Sequence, residues 1–257
     1  MNVKKYLNRL GIESTNFAPE LENLQLLQKK HLLRVPFENL DIHWKRPIIL
    51  DTKKFYKKII GQQRGGFCYE LNGLFFELLN EVGFQSKLIS ARVSTGNGNF
   101  SAEYDHLTII SKVDDLEYLV DVGFGAFTAE PLKFVLNEEQ TDQNGTFLIR
   151  KFDDEYFEVV KKEGNDWNSE FIFKDLGRDL AEFSEMCNFH QTSHESHFTR
   201  GKVCSLMFEN GRKTLTDKKF MITENGQKKE LDVHSDEEFN RILEREFGIK
   251  QDSSNFG

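Results

Sequence analysis

Residues 64–79, RGGFCYELNGLFFELL, are the most informative segment for the architecture. After Cys68, apolar side chains recur three and four positions apart, which predicts an amphipathic helix that Gly83 can end. The two glycines before Cys68 loosen the backbone, so we expect the helix to begin at or beside this cysteine. There the free N–H groups and the helix dipole favour a thiolate, which predicts a lowered pKa for Cys68. The alternative is a small buried apolar residue, the usual role of a free cysteine.

Two further helices are predicted upstream. Apolar residues at helical spacing indicate a helix over residues 3–10, which Gly11 ends. A second helix is expected to begin after Pro19 and to end near Arg34, because Pro36 disfavours helical backbone at Val35.

From about residue 86 the pattern changes to short strands separated by turn-prone residues. The predicted strands are KLISARV, HLTIIS, EYLVDVGF, TFLIRKF, YFEVVKK, EFIFK, VCSLMF, KTLTD and KKFMIT. A closing helix, DEEFNRILEREFG, has one apolar stripe. Helices followed by strands and a mixed tail predict an α+β fold with an antiparallel sheet or barrel and two or three subdomains.

The segment HLTIISKVDDLEYLVDVGFG predicts a hairpin that turns at residues 114–115. If Val113 lies opposite Leu116, then His106 and Asp121 are diagonal neighbours on one face of the sheet. An acid in an otherwise apolar strand needs a partner or a function. We therefore expect the two side chains to meet; a solvated histidine and a surface aspartate are the alternative.

Cys68, His106 and Asp121 occur in the chain order of a cysteine-nucleophile triad. A carboxylate bonded to one imidazole nitrogen fixes the tautomer and directs the other nitrogen at a partner. These three residues are the candidate nucleophile, base and orienting acid.

Other histidines compete for the role of base. His31 and His43 flank RVPFENLDI and are interpreted as surface or capping residues. The segment MCNFHQTSHESHF has a C-x2-H-x3-H-x2-H spacing that suggests zinc, with ligands Cys187, His190, His194 and His197. It lacks the C-x2-C half of such sites and is rich in Thr, Ser and Asn, so we predict a connecting loop and no metal.

Composition excludes several functional classes. The net charge of -8 argues against a nucleic-acid partner, and no basic run indicates a membrane surface. No apolar stretch is long enough for a transmembrane helix, and the N-terminus lacks a signal-peptide core. The three cysteines do not suggest a disulfide framework. We expect a cytoplasmic protein.

Five segments together resemble the signature blocks of the arylamine N-acetyltransferases. They are RVPFENLDI, RGGFCYELNGLF, HLTII, YLVDVGFG and FHQTS-x-ESHFT, in family order from residue 34 to residue 199. The resemblance implies an N-terminal helical bundle (1–85) that carries the nucleophile, a central antiparallel β-barrel (86–190) that carries His and Asp, and a C-terminal α/β lid (191–257). The core would be papain-like or transglutaminase-like.

The resemblance also implies an activity. Acetyl-CoA would enter between barrel and lid and acetylate Cys68, with His106 as base and Asp121 orienting it. Arylamines, arylhydrazines or N-hydroxyarylamines would then accept the acetyl group in a ping-pong reaction. The residues implied to line the acceptor pocket are Phe37, Val93 and Phe124. Arg64 and Glu38 would support the site.

The chain departs from the family pattern near these blocks. His194 stands where proline is usual, Ala126 and Phe127 follow GFG, and Tyr104 and Asp105 precede His106. These departures concern acceptor preference and CoA contacts. A cysteine protease or transglutaminase shares the triad logic, and a non-catalytic binding protein on the same scaffold is a third interpretation.

Overall fold

The computed structural model describes residues 1–14, 17–125 and 127–251, so Ala126 lies outside the described residues. Helices dominate its first part, in the order α1 (Val3–Leu10), α2 (Leu21–Arg34), β1 (Phe37–Glu38), α3 (Leu40–His43), α4 (Thr52–Tyr56), a π-helical turn (Lys57–Gly61) and α5 (Cys68–Glu81). The three predicted helices are confirmed. Gly11 ends α1 in the left-handed conformation, with φ of 74°.

A nearly closed antiparallel barrel follows. Its strands are β2 (Gln85–Gly96), β3 (Asn99–Phe100), β4 (His106–Val113), β5 (Leu116–Val120), β6 (Leu132–Lys133), β7 (Gln140–Asp142), β8 (Gly145–Lys151), β9 (Phe157–Glu163) and β10 (Asp166–Phe173). The sheet order is β6-β5-β4-β2-β10-β9-β8-β7, with β3 paired to β2. The Gln140 side chain joins the two ends by bonding the N–H and C=O of Lys133, at 2.8 and 2.9 Å.

Phenylalanine fills the barrel. Phe127, Phe147, Phe171 and Phe173 are all fully buried there. Edge-to-face contacts join Phe127 to Phe147 with ring centroids 5.4 Å apart. Much of the high phenylalanine content therefore serves the core.

The last part combines helices and a five-stranded sheet. A 3-10 turn (Leu180–Phe183) precedes α6 (Ser184–Thr192), α7 (His197–Arg200), β11 (Val203–Phe208), β12 (Gly211–Thr216), β13 (Lys219–Glu224), β14 (Gln227–Asp232) and α8 (Asp236–Phe247). The sheet order is β1-β11-β12-β13-β14, so β1 from the first part completes this sheet. The predicted α+β architecture is confirmed.

The loop predicted for MCNFHQTSHESHF is wrong over most of its length. Residues up to Thr192 are helical in α6, and α7 begins at His197. The physical reason is tertiary: Cys187 and His190 are buried, and the Gln191 side chain bonds both the N–H and the C=O of Ile48. Packing on the first part therefore stabilises a helix that has no clear apolar stripe.

Across the described ranges 1–14, 17–125 and 127–251, none of the helices has both the length and the hydrophobicity required to span a bilayer.

Candidate active site

Cys68 is the first residue of α5 and is 3% exposed. The glycines before it are required by space: a Cβ on Gly65 would overlap the carbonyl oxygen of Pro36, and one on Gly66 would lie 2.9 Å from a Glu70 carboxylate oxygen. Glu70 in turn accepts a hydrogen bond from the N–H of Phe67 at 3.2 Å. The segment before the cysteine is thus packed tightly against its surroundings.

The predicted lowering of the Cys68 pKa is wrong. Burial raises the pKa of the thiol well above its ordinary value, and the carboxylates of Asp105 and Asp121 raise it further. The N–H of Tyr69 at the helix start opposes this shift but does not overcome it. Forming the thiolate therefore requires a proton acceptor beside Cys68, and His106 lines the same pocket.

His106 and Asp121 meet as predicted. The hairpin pairs Val113 with Leu116, which confirms the expected register, and Asp121 comes directly after β5. His106 Nε2 lies 2.6 Å from Asp121 Oδ2, and both residues are at most 2% exposed. Because this carboxylate occupies Nε2, the Nδ1 nitrogen of His106 is left for another partner.

Asp121 is supported on every side. Its Oδ1 accepts hydrogen bonds from Asn72 Nδ2 at 3.0 Å and from the N–H groups of Gly123 and Phe124, both at 2.8 Å. Burial acts to raise the Asp121 pKa, but the His106 ring and these donors outweigh it and hold the pKa below its usual value. The buried acid therefore stays ionised beside His106.

Sequence reasoning missed Asn72 and the space requirement at Gly123. Asn72 Oδ1 also accepts from the N–H of Val122 at 2.8 Å, so it joins α5 to the end of the hairpin. A Cβ on Gly123 would lie 2.9 Å from Cys68 Cα, which makes close approach of hairpin and helix depend on glycine. A signal was available for Asn72: it lies one helical turn after Cys68, on the same face as the nucleophile.

A pocket of about 550 Å³ opens onto Cys68 and His106. Phe37, Val93 and Phe124, the residues implied to bind the acceptor, all line it. Phe124 packs edge-on against His106, with ring centroids 4.9 Å apart. Further lining residues that the sequence did not single out are Asn39, Phe198, Arg200, Lys202, Thr216 and Lys218. The walls combine an apolar side with a charged side, on which Asp217 pairs with Lys202 at 3.2 Å.

Arg64 and Glu38 form a buried ion pair, with Arg64 Nη2 2.6 Å from Glu38 Oε1. Arg64 also contacts Asp41 at 3.0 Å, and buried Lys58 lies 2.8 Å from both Asp41 and Glu70. Glu38 Oε2 accepts from the N–H of Leu40 at 2.8 Å. These charges satisfy one another and hold the segments on either side of the Cys68 loop.

The zinc interpretation has no geometric support in the part of the chain that the structure describes, where no three His, Cys, Asp or Glu residues are grouped to hold a metal. Cys187 interacts with Gln191, and His190 contacts Asp105 and Ser196. His194 is exposed, whereas His197 lines the pocket.

Comparisons with known proteins agree over nearly the whole chain. A family model described as N-acetyltransferase matches residues 20–256. Arylamine N-acetyltransferase 2 of Mus musculus is 27% identical over an alignment of 281 positions, gaps included, that covers 97% of this chain and 94% of the mouse protein. Arylamine N-acetyltransferase 1 of Homo sapiens gives the same identity and coverage.

Solved structures show the same architecture. The arylamine N-acetyltransferase from Salmonella typhimurium superposes with a TM-score of 0.92 at 25% identity, covering 99% of this chain and 93% of that one. The Mycobacterium marinum arylamine N-acetyltransferase in complex with CoA gives 0.88 at 25% identity, covering 96% and 93%.

Proposed function

This chain belongs to the arylamine N-acetyltransferase family, and we propose that it moves an acetyl group from acetyl-CoA to an aromatic amine by way of an acetyl-Cys68 intermediate. The observation that carries the proposal is the buried His106–Asp121 pair, at 2.6 Å, in a pocket shared with Cys68. Membership of this family favours an acyltransferase over a protease, a transglutaminase or a non-catalytic binding protein.

In the first step, His106 accepts the Cys68 proton and the sulfur attacks the thioester carbonyl carbon of acetyl-CoA. A new C–S bond forms to Cys68, the C–S bond to CoA breaks, and the His106 imidazolium returns the proton to the leaving thiolate. One thioester replaces another, so the acetyl group stays activated. Because burial raises the Cys68 pKa, proton transfer to His106 is essential for this step.

In the second step, the nitrogen of the arylamine attacks the acetyl-Cys68 carbonyl. Neutral His106 takes the proton that the nitrogen loses; the C–S bond to Cys68 breaks, and the His106 imidazolium gives that proton to the leaving Cys68 sulfur. Asp121 stabilises the imidazolium in both steps, because its lowered pKa keeps it ionised. An arylhydrazine or N-hydroxyarylamine can accept the acetyl group through the same chemistry.

The two walls of the pocket suit the two substrates. Phe37, Val93 and Phe124 form an apolar surface for a flat arene and keep water from the intermediate. Arg200 and Lys218 offer positive charge to the phosphates of CoA, whereas the Lys202 ammonium already pairs with Asp217 and Asp236. The Mycobacterium marinum relative, whose structure contains CoA, is consistent with this ligand.

The test is the intact mass of the protein after brief incubation with acetyl-CoA and no acceptor. The wild-type protein should gain one acetyl group and lose it when an arylamine is added, with release of CoA thiol in the first phase. Cys68→Ser should abolish turnover and give no such labile adduct. Cys187→Ser is the matched control, because Cys187 is equally buried but does not line the pocket.

An arylamine acetylated at the wild-type rate by Cys68→Ser would refute the intermediate. No adduct, together with selective alkylation of Cys68 by iodoacetamide, would mean that the nucleophile is right and the acyl donor wrong.

A further inference from the structure

The turn immediately before His106 is strained and held by several partners. Tyr104 has a φ of 67°, the left-handed region that a bulky aromatic residue rarely adopts. Its N–H donates to Ser90 Oγ at 2.8 Å, and the Tyr69 hydroxyl donates to the carbonyl oxygens of Tyr104 and Asp105. Such a conformation persists only where the surroundings enforce it. The direction in which the chain enters His106 therefore depends on these contacts.

His190, in α6, contacts the same turn through Asp105. Its Nε2 lies 3.1 Å from Asp105 Oδ1 and 3.3 Å from the Asp105 carbonyl oxygen. Both of these oxygens can only accept, so Nε2 carries a proton. The other ring nitrogen lies 3.1 Å from Ser196 Oγ, and His190 is 2% exposed. The ring is thus fully engaged inside the protein, and the residue that its Nε2 contacts, Asp105, directly precedes His106 in the chain.

We propose that His190 is a positioning residue for the catalytic pair: it fixes the turn that aims His106, and its Nε2–H holds the Asp105 carboxylate and weakens the influence of that charge on Cys68. The inference rests on the proposed role of Cys68 as nucleophile. It gives the site two His–Asp pairs with different tasks, one that moves protons and one that does not.

The electrostatic part follows from the groups around the thiol. Cys68 faces the carboxylates of Asp105 and Asp121 together with Cys187, and both carboxylates raise its pKa. Asp121 is paired with His106, whereas Asp105 is paired with His190. Around His190, the neighbouring titratable groups are Asp105, His197 and Tyr69. Removing His190 takes away the strongest partner of the Asp105 carboxylate and leaves Ser101 as its side-chain hydrogen-bond donor, which makes the thiolate of Cys68 harder to form.

The experiment follows alkylation of Cys68 by iodoacetamide as a function of pH, resolved by peptide mass so that Cys187 and Cys204 are read separately. His190→Leu should move the midpoint of the Cys68 profile upward by about half a pH unit or more. His190→Gln, which keeps an N–H donor for Asp105, should move it less. Asp105→Asn should move the midpoint downward, and the double variant His190→Leu/Asp105→Asn should recover most of the shift.

Equal upward shifts in His190→Leu and in the double variant would overturn the proposal, because the effect would then not pass through the Asp105 charge. An unchanged profile in folded His190→Leu would also overturn it. Thermal unfolding reports whether each variant folds; if His190→Leu does not, the pair His190→Gln and His190→Gln/Asp105→Asn gives the same comparison. Alkylation needs no acetyl-CoA, so failure of acetyl transfer contradicts the proposed function separately from this test.

Discussion

Asp121 connects the nucleophile's helix to the histidine's strand. One carboxylate oxygen bonds His106, and the other accepts from Asn72 in α5 and from two backbone N–H groups after β5. An ionised acid that is 1% exposed is tolerated because these partners replace water. The same contacts decide which nitrogen of His106 is available for proton transfer.

Asp121→Asn should lower the rate of Cys68 acetylation by about three orders of magnitude or more. The amide keeps the size of the side chain but cannot stabilise an imidazolium, and it permits the wrong tautomer of His106. The rate is measured by stopping the reaction with acetyl-CoA at successive times and determining the intact mass of the protein. Circular dichroism checks that the variant is folded. A folded variant that loads within tenfold of the wild-type rate would show that the carboxylate charge is dispensable.

At this scale, the identities of the candidate residues could be predicted, but their environment could not. Residue type and hairpin register brought His106 and Asp121 together correctly, because both signals are local. The direction of the Cys68 pKa shift was wrong because burial, a tertiary property, outweighs the helix start. The position of Asn72 one turn after Cys68 was a signal for its face of the helix, but its role depends on partners in the distant hairpin.

Among the elements, α1 and α2 are joined by a buried polar contact. His31 Nε2 lies 3.0 Å from the Tyr6 hydroxyl, and His31 is fully buried. Its interpretation as a surface or capping residue is therefore wrong. The helical periodicity alone would have placed His31 inside, because it follows Leu24 by seven positions and Leu27 by four on the inward face of α2.

His31 makes stability depend on pH. Burial, and to a lesser degree Arg9, lowers the pKa of His31 to about 3. The unfolded chain, with an ordinary histidine pKa of about 6.5, binds the proton more readily between these values, so stability falls as the pH drops below about 6.5. Between pH 7.5 and pH 5, the free energy of unfolding of the wild-type protein should fall by about 2 kcal/mol more than that of His31→Gln.

Urea unfolding at the two pH values measures this difference. Glutamine can still bond Tyr6 but does not titrate, so other acid-sensitive groups affect both proteins equally. An equal decrease in the free energy of unfolding of the two proteins would mean that His31 does not cause the loss of stability at acidic pH. His43→Gln is a useful control, because that histidine is only partly buried.

Elements with a strong local pattern were predictable, whereas those stabilised from a distance were not. The hairpins and α5 carry their own periodicity and turn residues. The buried face of helix α6 consists of Cys187 and His190, and the helix is stabilised by contacts with Ile48. The short strand β1 pairs with Ser205 and Cys204 far along the chain, which no local signal announces.

At the scale of the whole molecule, Asn39 ties the first part of the chain to the last. Its Nδ2 donates to the carbonyl oxygens of Phe198 and Gly201, at 3.0 and 2.8 Å, and its Oδ1 accepts from the N–H of Val203 at 2.8 Å. Asn39 is 1% exposed and lies directly after β1. The segment that it holds, residues 198–203, forms one wall of the pocket.

We expect Asn39→Ala to raise the KM for acetyl-CoA while leaving the reactivity of the Cys68 thiol nearly unchanged. Three partly buried backbone groups lose a partner, of which the Phe198 carbonyl retains His43, so the free energy of unfolding should fall by about 2 kcal/mol. The wall that carries Arg200 also loses its anchor, so we expect the KM for acetyl-CoA to rise about tenfold, an energy close to 1.4 kcal/mol. Alkylation of Cys68 at fixed pH should change little, because the His106–Asp121 pair lies outside these hydrogen bonds. Asn168→Ala, an exposed barrel position, controls for loss of an asparagine. If the KM is unchanged while stability falls, pairing of β1 with β11 suffices to hold the pocket wall, and the asparagine serves only folding.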